Sequence, residues 1–241
     1  MTDGVFRHAG TIQPGGIVCV VDHASNRVPE GIDLGIAPRL LHDHIALDIG
    51  VEAVAERMAR GHGIPAHIAR VSRLVCDFNR LEDDPAVVPQ VSDGHPIPGN
   101  RGADVERRLE TYHRPYHEGL ARFLADARPR LILALHSFTP ALKSREEERP
   151  WEVALLHNRD DRAARHAIRL FAAEGLSVGD NEPYSGRDLN ATMDRHAEAA
   201  GISYCAIEVR QDQIADEAGQ ARWADRIAAV AGGVLLALEG Q

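Results

Sequence analysis

The chain has 241 residues and a formal net charge of −9 at pH 7, with 27 basic and 36 acidic residues spread along the sequence. This length suffices for one well-buried core, so we expect a single domain over residues 1–241. The acidic balance argues against nucleic acid or an anionic membrane as the main partner, because both bind basic surfaces.

Short apolar, β-branched runs alternate along the chain with longer amphipathic segments. This alternation predicts an α/β fold with three layers, in which a mixed, mostly parallel sheet lies between helices. The predicted strands are residues 16–22, 66–70, 74–78, 130–135, 152–156, 176–178 and 203–209. The predicted helices are residues 46–60, 103–127, 160–174, 188–200 and 215–238, and residues 82–102 are predicted to form a long loop.

Three residues that carry chemistry lie at or near the ends of predicted strands, where open α/β sheets bind their ligands. His23 follows the first strand, His136 follows the strand at 130–135, and Glu208 lies near the end of the last strand. Two imidazoles and a carboxylate are the components of a catalytic zinc site with a general base. The alternatives are hydrogen-bonded structural histidines and, for Glu208, a salt bridge to Arg210 or another arginine.

The third metal ligand is less certain from the residues alone, and Asp48 is preferred. It is predicted to lie near the start of the helix at 46–60, where an acidic residue could also serve without any metal. Asn26 follows His23 by three residues, where a zinc carboxypeptidase carries a glutamate, but an amide is a poor zinc ligand. His44 and Asp43 are the remaining alternatives.

Arginines and neighbouring polar residues are candidates for substrate binding, because the guanidinium group donates two parallel hydrogen bonds to a carboxylate. Arg73 and Arg80 bracket the predicted strand at 74–78. The candidate substrate-binding residues are Arg73, Asn79, Arg80, Arg187, Arg210 and His196. For most arginines in such a sequence, and for a histidine on a helix, plain solvent exposure is the alternative.

The three cysteines, Cys19, Cys76 and Cys205, are widely separated and lie in apolar runs. Their odd number and the absence of a CxxC pair favour buried, reduced thiols. The first ten residues lack the apolar segment of a secretory signal, and no apolar run is long enough to span a bilayer. We therefore expect a cytoplasmic protein with no membrane partner.

Five blocks of sequence together resemble the N-formylglutamate amidohydrolase family. They are DHASN at 22–26, HIALDIG at 44–50, SRLVCDFNR at 72–80, LHS at 135–137 and IEVRQD at 207–212. One departure is DHAS at 22–25, where enzymes of histidine degradation in this family carry Pro-His-Ala/Ser-Gly. Another is the glycine-rich segment before the last strand, which Gly186 and Arg187 only loosely match. The chain is therefore expected to represent a divergent branch.

The resemblance implies a zinc-peptidase-like α/β fold, which cell-wall N-acetylmuramoyl amidases also have. It implies one zinc ion per chain on His23, Asp48 and His136, with Glu208 as the base. The implied reaction is hydrolysis of a linear amide in a small N-acyl amino acid, such as N-formyl-L-glutamate, to formate and glutamate. The alternatives are a peptidoglycan amidase and a non-catalytic binder of an acidic metabolite. The oligomeric state, the acyl group and the metal used in the cell stay open.

Overall fold

Seven strands form one mixed sheet in the computed structural model, which describes residues 4–240 of the chain. The strands of this sheet are β1 (Phe6–Ala9), β2 (Ile17–Val21), β3 (Ala66–Ala69), β6 (Leu131–Phe138), β7 (Val153–Leu156), β8 (Val178–Asp180) and β9 (Tyr204–Arg210). Their order across the sheet is β1-β3-β2-β6-β9-β7-β8. A separate hairpin consists of β4 (Val91–Ser92) and β5 (His95–Pro96).

Helices cover both faces of the sheet. They are α1 (Val51–Gly61), α2 (Val105–Arg108), α3 (Arg114–Ala127), α4 (Arg162–Ala173), α5 (Ala191–His196) and α6 (Glu217–Glu239). A π-helical turn, Leu109–His113, joins α2 to α3 within the single helix predicted for this region. Within residues 4–240, every helix is too short or too polar to cross a membrane.

The sheet divides the apolar core into two layers, because successive side chains of a strand point to opposite faces. Cys19 and Val21 of β2 pack in the layer that holds α1, α4 and α6. Val18 and Val20 pack in the opposite layer, beside α3. The predicted α/β fold with a mixed sheet between helices is thus confirmed.

Four neighbouring strands in the middle of the sheet, β3, β2, β6 and β9, run parallel, so their carboxyl ends lie at one edge. Within the β6–β9 pair, His136 lies directly opposite Glu208. Both residues occupy the sheet face of Ala134 and Ala206, by the same alternation that divides the core. The pairing of two strands therefore sets the distance between these two candidate site residues.

The local structure predicted from the sequence differs from the fold at several places. Residues 74–78 form a turn instead of a strand, because Val75 N–H bonds to Ser72 O at 2.9 Å and the Arg73 side chain bonds to Asp77. The strand β1 and the hairpin of β4 and β5 were not predicted. Both contain only short runs without clear apolar alternation, which gives a weak strand signal.

The helix predicted from residue 46 begins only at Val51, so Asp48 lies before it and does not open it. Gly50 ends the intervening turn with φ +84°, a conformation that suits glycine. A Cβ at Gly50 would lie 2.3 Å from the Ile214 carbonyl oxygen. The segment before α1 therefore packs closely against Ile214, in the turn that follows β9. This packing helps to hold Asp48 next to His23 and His136, at the ends of β2 and β6.

Candidate active site

Three buried residues at the carboxyl edge of the sheet, His23, Asp48 and His136, form a group that could hold a metal ion. Each offers one ligand atom, and these atoms lie within 4.8 Å of one another. The Asp48 carboxylate lies between the two rings, with Oδ2 at 2.9 Å from His136 Nδ1 and at 3.4 Å from His23 Nδ1. Two imidazoles and one carboxylate are a ligand set of catalytic zinc sites.

Backbone contacts hold Asp48 in this position. Its N–H donates to the carbonyl of His23 at 2.9 Å, and its Oδ2 accepts from the N–H of Ser137 at 3.3 Å. The Ser137 hydroxyl in turn donates to the carbonyl of Ile49 at 2.9 Å. The turn before α1 is thus tied to the ends of both β2 and β6, although Asp48 itself belongs to neither strand.

Asp77 orients the ring of His23. His23 Nε2 lies 2.7 Å from Asp77 Oδ1, while Nδ1 is buried without a hydrogen-bond partner. A buried polar atom without a partner is costly unless a ligand completes it. A carboxylate behind a histidine is also the usual support of a metal ligand, since it fixes the tautomer and makes the ring more basic. The site therefore fits a metal ion on the Nδ1 side of His23.

Arg73 links the two carboxylates of the site. Its guanidinium donates to Asp48 Oδ1 at 3.2 Å and to Asp77 Oδ2 at 2.9 Å. Burial would raise the pKa of Asp48, but the charge on His23, the hydrogen bond with His136 and the charge on Arg73 hold it below the usual value. Burial would also raise the pKa of Asp77, but the charges on Arg73 and His23 hold it well below its usual value, so both carboxylates are ionised at neutral pH.

His136 faces a second buried carboxylate, that of Asp22. His136 Nε2 lies 3.9 Å from Asp22 Oδ2, and Asp22 Oδ1 accepts a hydrogen bond from the hydroxyl of Tyr116 at 2.6 Å. Burial lowers the pKa of His136, but the hydrogen bond with Asp48 and the charges of Asp48, Glu208 and Asp22 together outweigh it and raise the pKa to about 9. The surroundings of this ring thus attract positive charge, whether a proton or a metal ion.

Glu208 lies beside this group, and none of the ion pairs within residues 4–240 includes it. It is buried, and its Oε2 has no hydrogen-bond partner. Burial raises the pKa of Glu208 to about 7, against the attraction of the neighbouring His136. The guanidinium of Arg210 is turned away and bonds to Asp212 at 2.7 Å and 3.1 Å. The carboxyl group of Glu208 is thus poised to accept and return a proton near neutral pH.

A cavity of about 280 Å³ opens over this group. Eight of the candidate site residues named from the sequence line it: His23, His44, Asp48, Arg73, Asn79, Arg80, His136 and Glu208. Asn79 uses its Oδ1 to accept from Thr192 N–H at 3.0 Å, which fixes its side chain. Among the residues that the structure describes, the ion-pair partner of the Arg80 side chain is Asp84, with 3.7 Å between Nε and Oδ2. The cavity therefore combines the acidic and histidine-rich centre with guanidinium groups on its wall.

Three candidate substrate-binding residues lie apart from the residues that line this cavity in the described part of the chain. Arg187 is exposed in the loop after β8, and Arg210 bonds to Asp212 and to carbonyls of residues 149–151. His196 stacks on His117, with ring centroids 5.2 Å apart. Asn26 bonds to His42, while His44 lines the cavity mouth and bonds to Asp93.

Sequence reasoning assigned no role to Asp22 and Asp77, the two carboxylates that contact the histidines from outside the metal-binding group. One signal for Asp77 is present in the sequence, since it follows Arg73 by four residues, the spacing of an ion pair within one turn of helix. Asp22 adjoins His23 in the sequence, but its contacts are with His136 and Tyr116, far along the chain. No local pattern predicts those contacts.

Comparison with known proteins agrees with this architecture. The model of the N-formylglutamate amidohydrolase family matches residues 15–215. The crystal structure of gene product Atu2144 from Agrobacterium tumefaciens has a TM-score of 0.90 and 30% sequence identity, and covers 98% of this chain and 96% of that one. N-formylglutamate amidohydrolase from Ralstonia eutropha JMP134 has the same fold, with a TM-score of 0.72 at 20% identity over 97% of this chain and 98% of that one. No curated protein sequence matches the chain.

Proposed function

The chain belongs to the N-formylglutamate amidohydrolase family, and from this premise we propose that it is a zinc-dependent hydrolase of a linear amide. Its substrate is a small N-acyl amino acid such as N-formyl-L-glutamate, and the products are formate and the free amino acid. One observation carries the proposal. Two buried histidines and a buried aspartate converge next to Glu208, a carboxyl group without an ion-pair partner, at the base of a cavity.

In this proposal His23, Asp48 and His136 hold one zinc ion. When bound, zinc would supply a Lewis acid that polarises the scissile carbonyl and makes the hydrolytic water more acidic. Asp77 keeps a proton on Nε2 of His23, which leaves the lone pair of Nδ1 free for the metal. The positive charge of Arg73 balances the negative charges of Asp48 and Asp77, with which it forms ion pairs.

Glu208 acts as the general base and then as the general acid. Its unpaired Oε2 accepts a proton from the attacking water and returns it to the nitrogen of the leaving amino acid. A pKa of about 7 suits both transfers, because the group exchanges a proton readily at neutral pH. The low exposure of Glu208 also limits exchange with bulk solvent during the reaction.

Arg80 is the proposed receptor for one carboxylate of the substrate. Arg73 lines the same cavity, but its guanidinium is already engaged with Asp48 and Asp77. Arg80 has only the half-exposed Asp84 as a partner, so its donors are available to a ligand. Asn79 lies next to it on the cavity wall and completes a polar surface there.

The proposal is tested on the wild-type protein. We expect about one zinc per chain, formate release from N-formyl-L-glutamate, loss of that release after treatment with a chelator, and recovery on adding zinc. Formate release that persists in protein shown to contain no metal would contradict the metal mechanism. Cleavage of a purified muropeptide but not of N-formyl or N-acetyl amino acids would identify a peptidoglycan-type amidase instead. Ligand binding without metal or turnover would identify a binding protein.

Asp77→Asn is expected to weaken zinc binding ~10- to 100-fold, the range usual for the loss of a carboxylate behind a metal-binding histidine. The amide keeps the size of the side chain but removes the charge that favours a proton on His23 Nε2. The zinc dissociation constant is measured by competition with a chromophoric chelator. Asp84→Asn, which removes an equal charge without contact to the histidines, should leave it unchanged. Equal affinity in Asp77→Asn and wild type would show that Asp77 does not support the ligand.

A further inference from the structure

Tyr184 lines the same cavity as the histidines and Glu208, on a loop that follows β8. Its hydroxyl oxygen accepts a hydrogen bond from Nη1 of Arg149 at 3.0 Å. The guanidinium carbon of Arg149 also lies 4.9 Å from the centroid of the Tyr184 ring. Two kinds of contact thus join this tyrosine to one cation.

Arg149 is itself held rigidly. Its side chain is 0% exposed, and its Nε and Nη2 donate to Glu147 Oε2 at 3.0 Å and 2.8 Å. Its Nη1 donates a further hydrogen bond to the carbonyl of Thr139 at 3.2 Å. With these partners the guanidinium has little freedom to turn, so it fixes the position of the Tyr184 hydroxyl.

The loop that carries Tyr184 is also fixed on its other side. Asn181 Oδ1 accepts hydrogen bonds from the N–H groups of His157 at 2.9 Å and Gly186 at 3.0 Å. Gly186 packs so closely on His157 that a Cβ there would lie 2.6 Å from backbone atoms of His157. Tyr184 therefore enters the cavity from a support that is formed before any ligand binds.

The Tyr184 hydroxyl retains an unused donor. A tyrosine hydroxyl has one proton to donate, and its oxygen already accepts from Arg149. None of the hydrogen bonds among residues 4–240 uses that proton. Burial raises the pKa of Tyr184 despite the opposing hydrogen bond from Arg149, so the hydroxyl keeps its proton at neutral pH. A hydroxyl polarised by a neighbouring cation is a stronger donor, above all to an anion.

A substrate of the glutamate type has two carboxylates, and within residues 4–240 the cavity lining holds one guanidinium without a buried carboxylate partner. That guanidinium is Arg80, since Arg73 is held between Asp48 and Asp77. The second carboxylate therefore needs another donor on the cavity wall. Tyr184, with the buried charge of Arg149 behind it, meets that need.

We propose that Tyr184 binds a carboxylate of the substrate by donating its hydroxyl proton, and that Arg149 is a positioning residue that fixes and strengthens this donor. The inference rests on the proposed function, since it assigns a second anion contact to the substrate of that reaction. It adds a specificity-determining residue outside the metal-binding group.

Tyr184→Phe tests the proposal, because it removes only the hydroxyl. The KM for N-formyl-L-glutamate should rise ~10- to 100-fold with kcat within about twofold, as expected for one hydrogen bond to a charged group. Binding of L-glutamate, measured by calorimetry, should weaken by the same factor, and zinc content should not change. The matched control is Tyr112→Phe. Tyr112 does not belong to the residues that line the cavity, so this variant should behave as wild type.

A second substrate separates the two carboxylates. If Tyr184→Phe has no effect on N-formyl-L-glutamine, the hydroxyl binds the γ-carboxylate; if the KM effect persists, it binds the α-carboxylate. Either result supports the proposal. A fall in kcat with unchanged KM and unchanged glutamate binding would overturn it, since the hydroxyl would then act on the reacting oxygen. The proposal would also be overturned if Tyr184→Phe had the same KM, kcat and glutamate affinity as the wild type.

Failure of the proposed function would be visible separately. A wild-type protein that releases no formate from any N-acyl amino acid contradicts that function, and the calorimetric comparison then decides the role of Tyr184 alone. Weaker glutamate binding by Tyr184→Phe supports the inference in that case. Equal binding, or no binding by the wild type, overturns it.

Discussion

Replacement of Glu208 by glutamine is expected to lower kcat for N-formyl-L-glutamate ~10²- to 10⁴-fold, the usual contribution of a general base. Glutamine has the same shape but cannot take up a proton at neutral pH. The change leaves His23, Asp48 and His136 in place, so we expect unchanged zinc content. It also removes a buried carboxyl group that has no ion-pair partner, so the free energy of unfolding should not fall.

The measurement combines steady-state kinetics, metal analysis and thermal unfolding. The matched control is Glu174→Gln, because Glu174 pairs with Arg226 on the surface and is far from the cavity lining. Normal turnover by Glu208→Gln would show that another group accepts the proton. If Glu208→Gln lost both its zinc and its activity, Glu208 would be a metal ligand, and its assignment as the general base would be wrong.

Replacement of His136 by alanine is expected to remove both the metal and the activity. The change deletes one of the two imidazoles of the proposed metal-binding group. It also removes the hydrogen bond of 2.9 Å between His136 Nδ1 and Asp48 Oδ2. Zinc should fall from about one per chain to near zero in protein purified without added metal, because a single histidine and a carboxylate hold zinc weakly. Formate release should fall with it.

Circular dichroism establishes that the variant is folded, and His44→Ala provides the comparison. His44 lines the cavity mouth and bonds to Asp93 without belonging to the metal-binding group. The His44→Ala variant should therefore keep its zinc. Retention of stoichiometric zinc by His136→Ala would exclude His136 as a ligand, and loss of zinc from His44→Ala would point to a ligand set that includes His44.

The strand ends were predictable because apolar runs identify buried strands of a parallel sheet, and the polar residues at their ends stand out. His23, His136 and Glu208 were found in this way, and the structure brings them to one cavity. Asp48 was found as an acid near a predicted helix start. The helix begins three residues later, at Val51, and the backbone contact with His23 is what places the carboxylate.

The predicted strand at 74–78 illustrates the limit of apolar patterns. Its residues are buried as predicted, but side-chain bonds between Arg73 and Asp77 favour a turn over an extended backbone. A pattern of burial does not distinguish the two conformations when side chains bond to each other locally. The same turn carries Asp77 to His23, so the error concealed a residue of the site.

Contacts between distant loops could not be predicted at all. Tyr184 and Arg149 are 35 positions apart, and nothing in either local sequence indicates that they meet. The sequence offers Arg210 as an ion-pair partner of Glu208 and as a substrate-binding residue. The strand ends at Arg210, however, and the long side chain reaches Asp212 and the carbonyl of Trp151 instead.

The pairing of β6 with β9 has a consequence for how this enzyme can diverge. His136 and Glu208 are partners in the strand register, and a shift of one residue would turn the apolar side chains of a strand out of the core. A variant that keeps this register therefore keeps His136 opposite Glu208. Residues 139–149 and 181–190 lie outside this register, and loops tolerate substitution more readily than the strands they connect, although Arg149, Asn181 and Gly186 are held by contacts of their own. Under the proposed function, a change of substrate preference is therefore expected from substitutions in these loops, with His136 and Glu208 left in place.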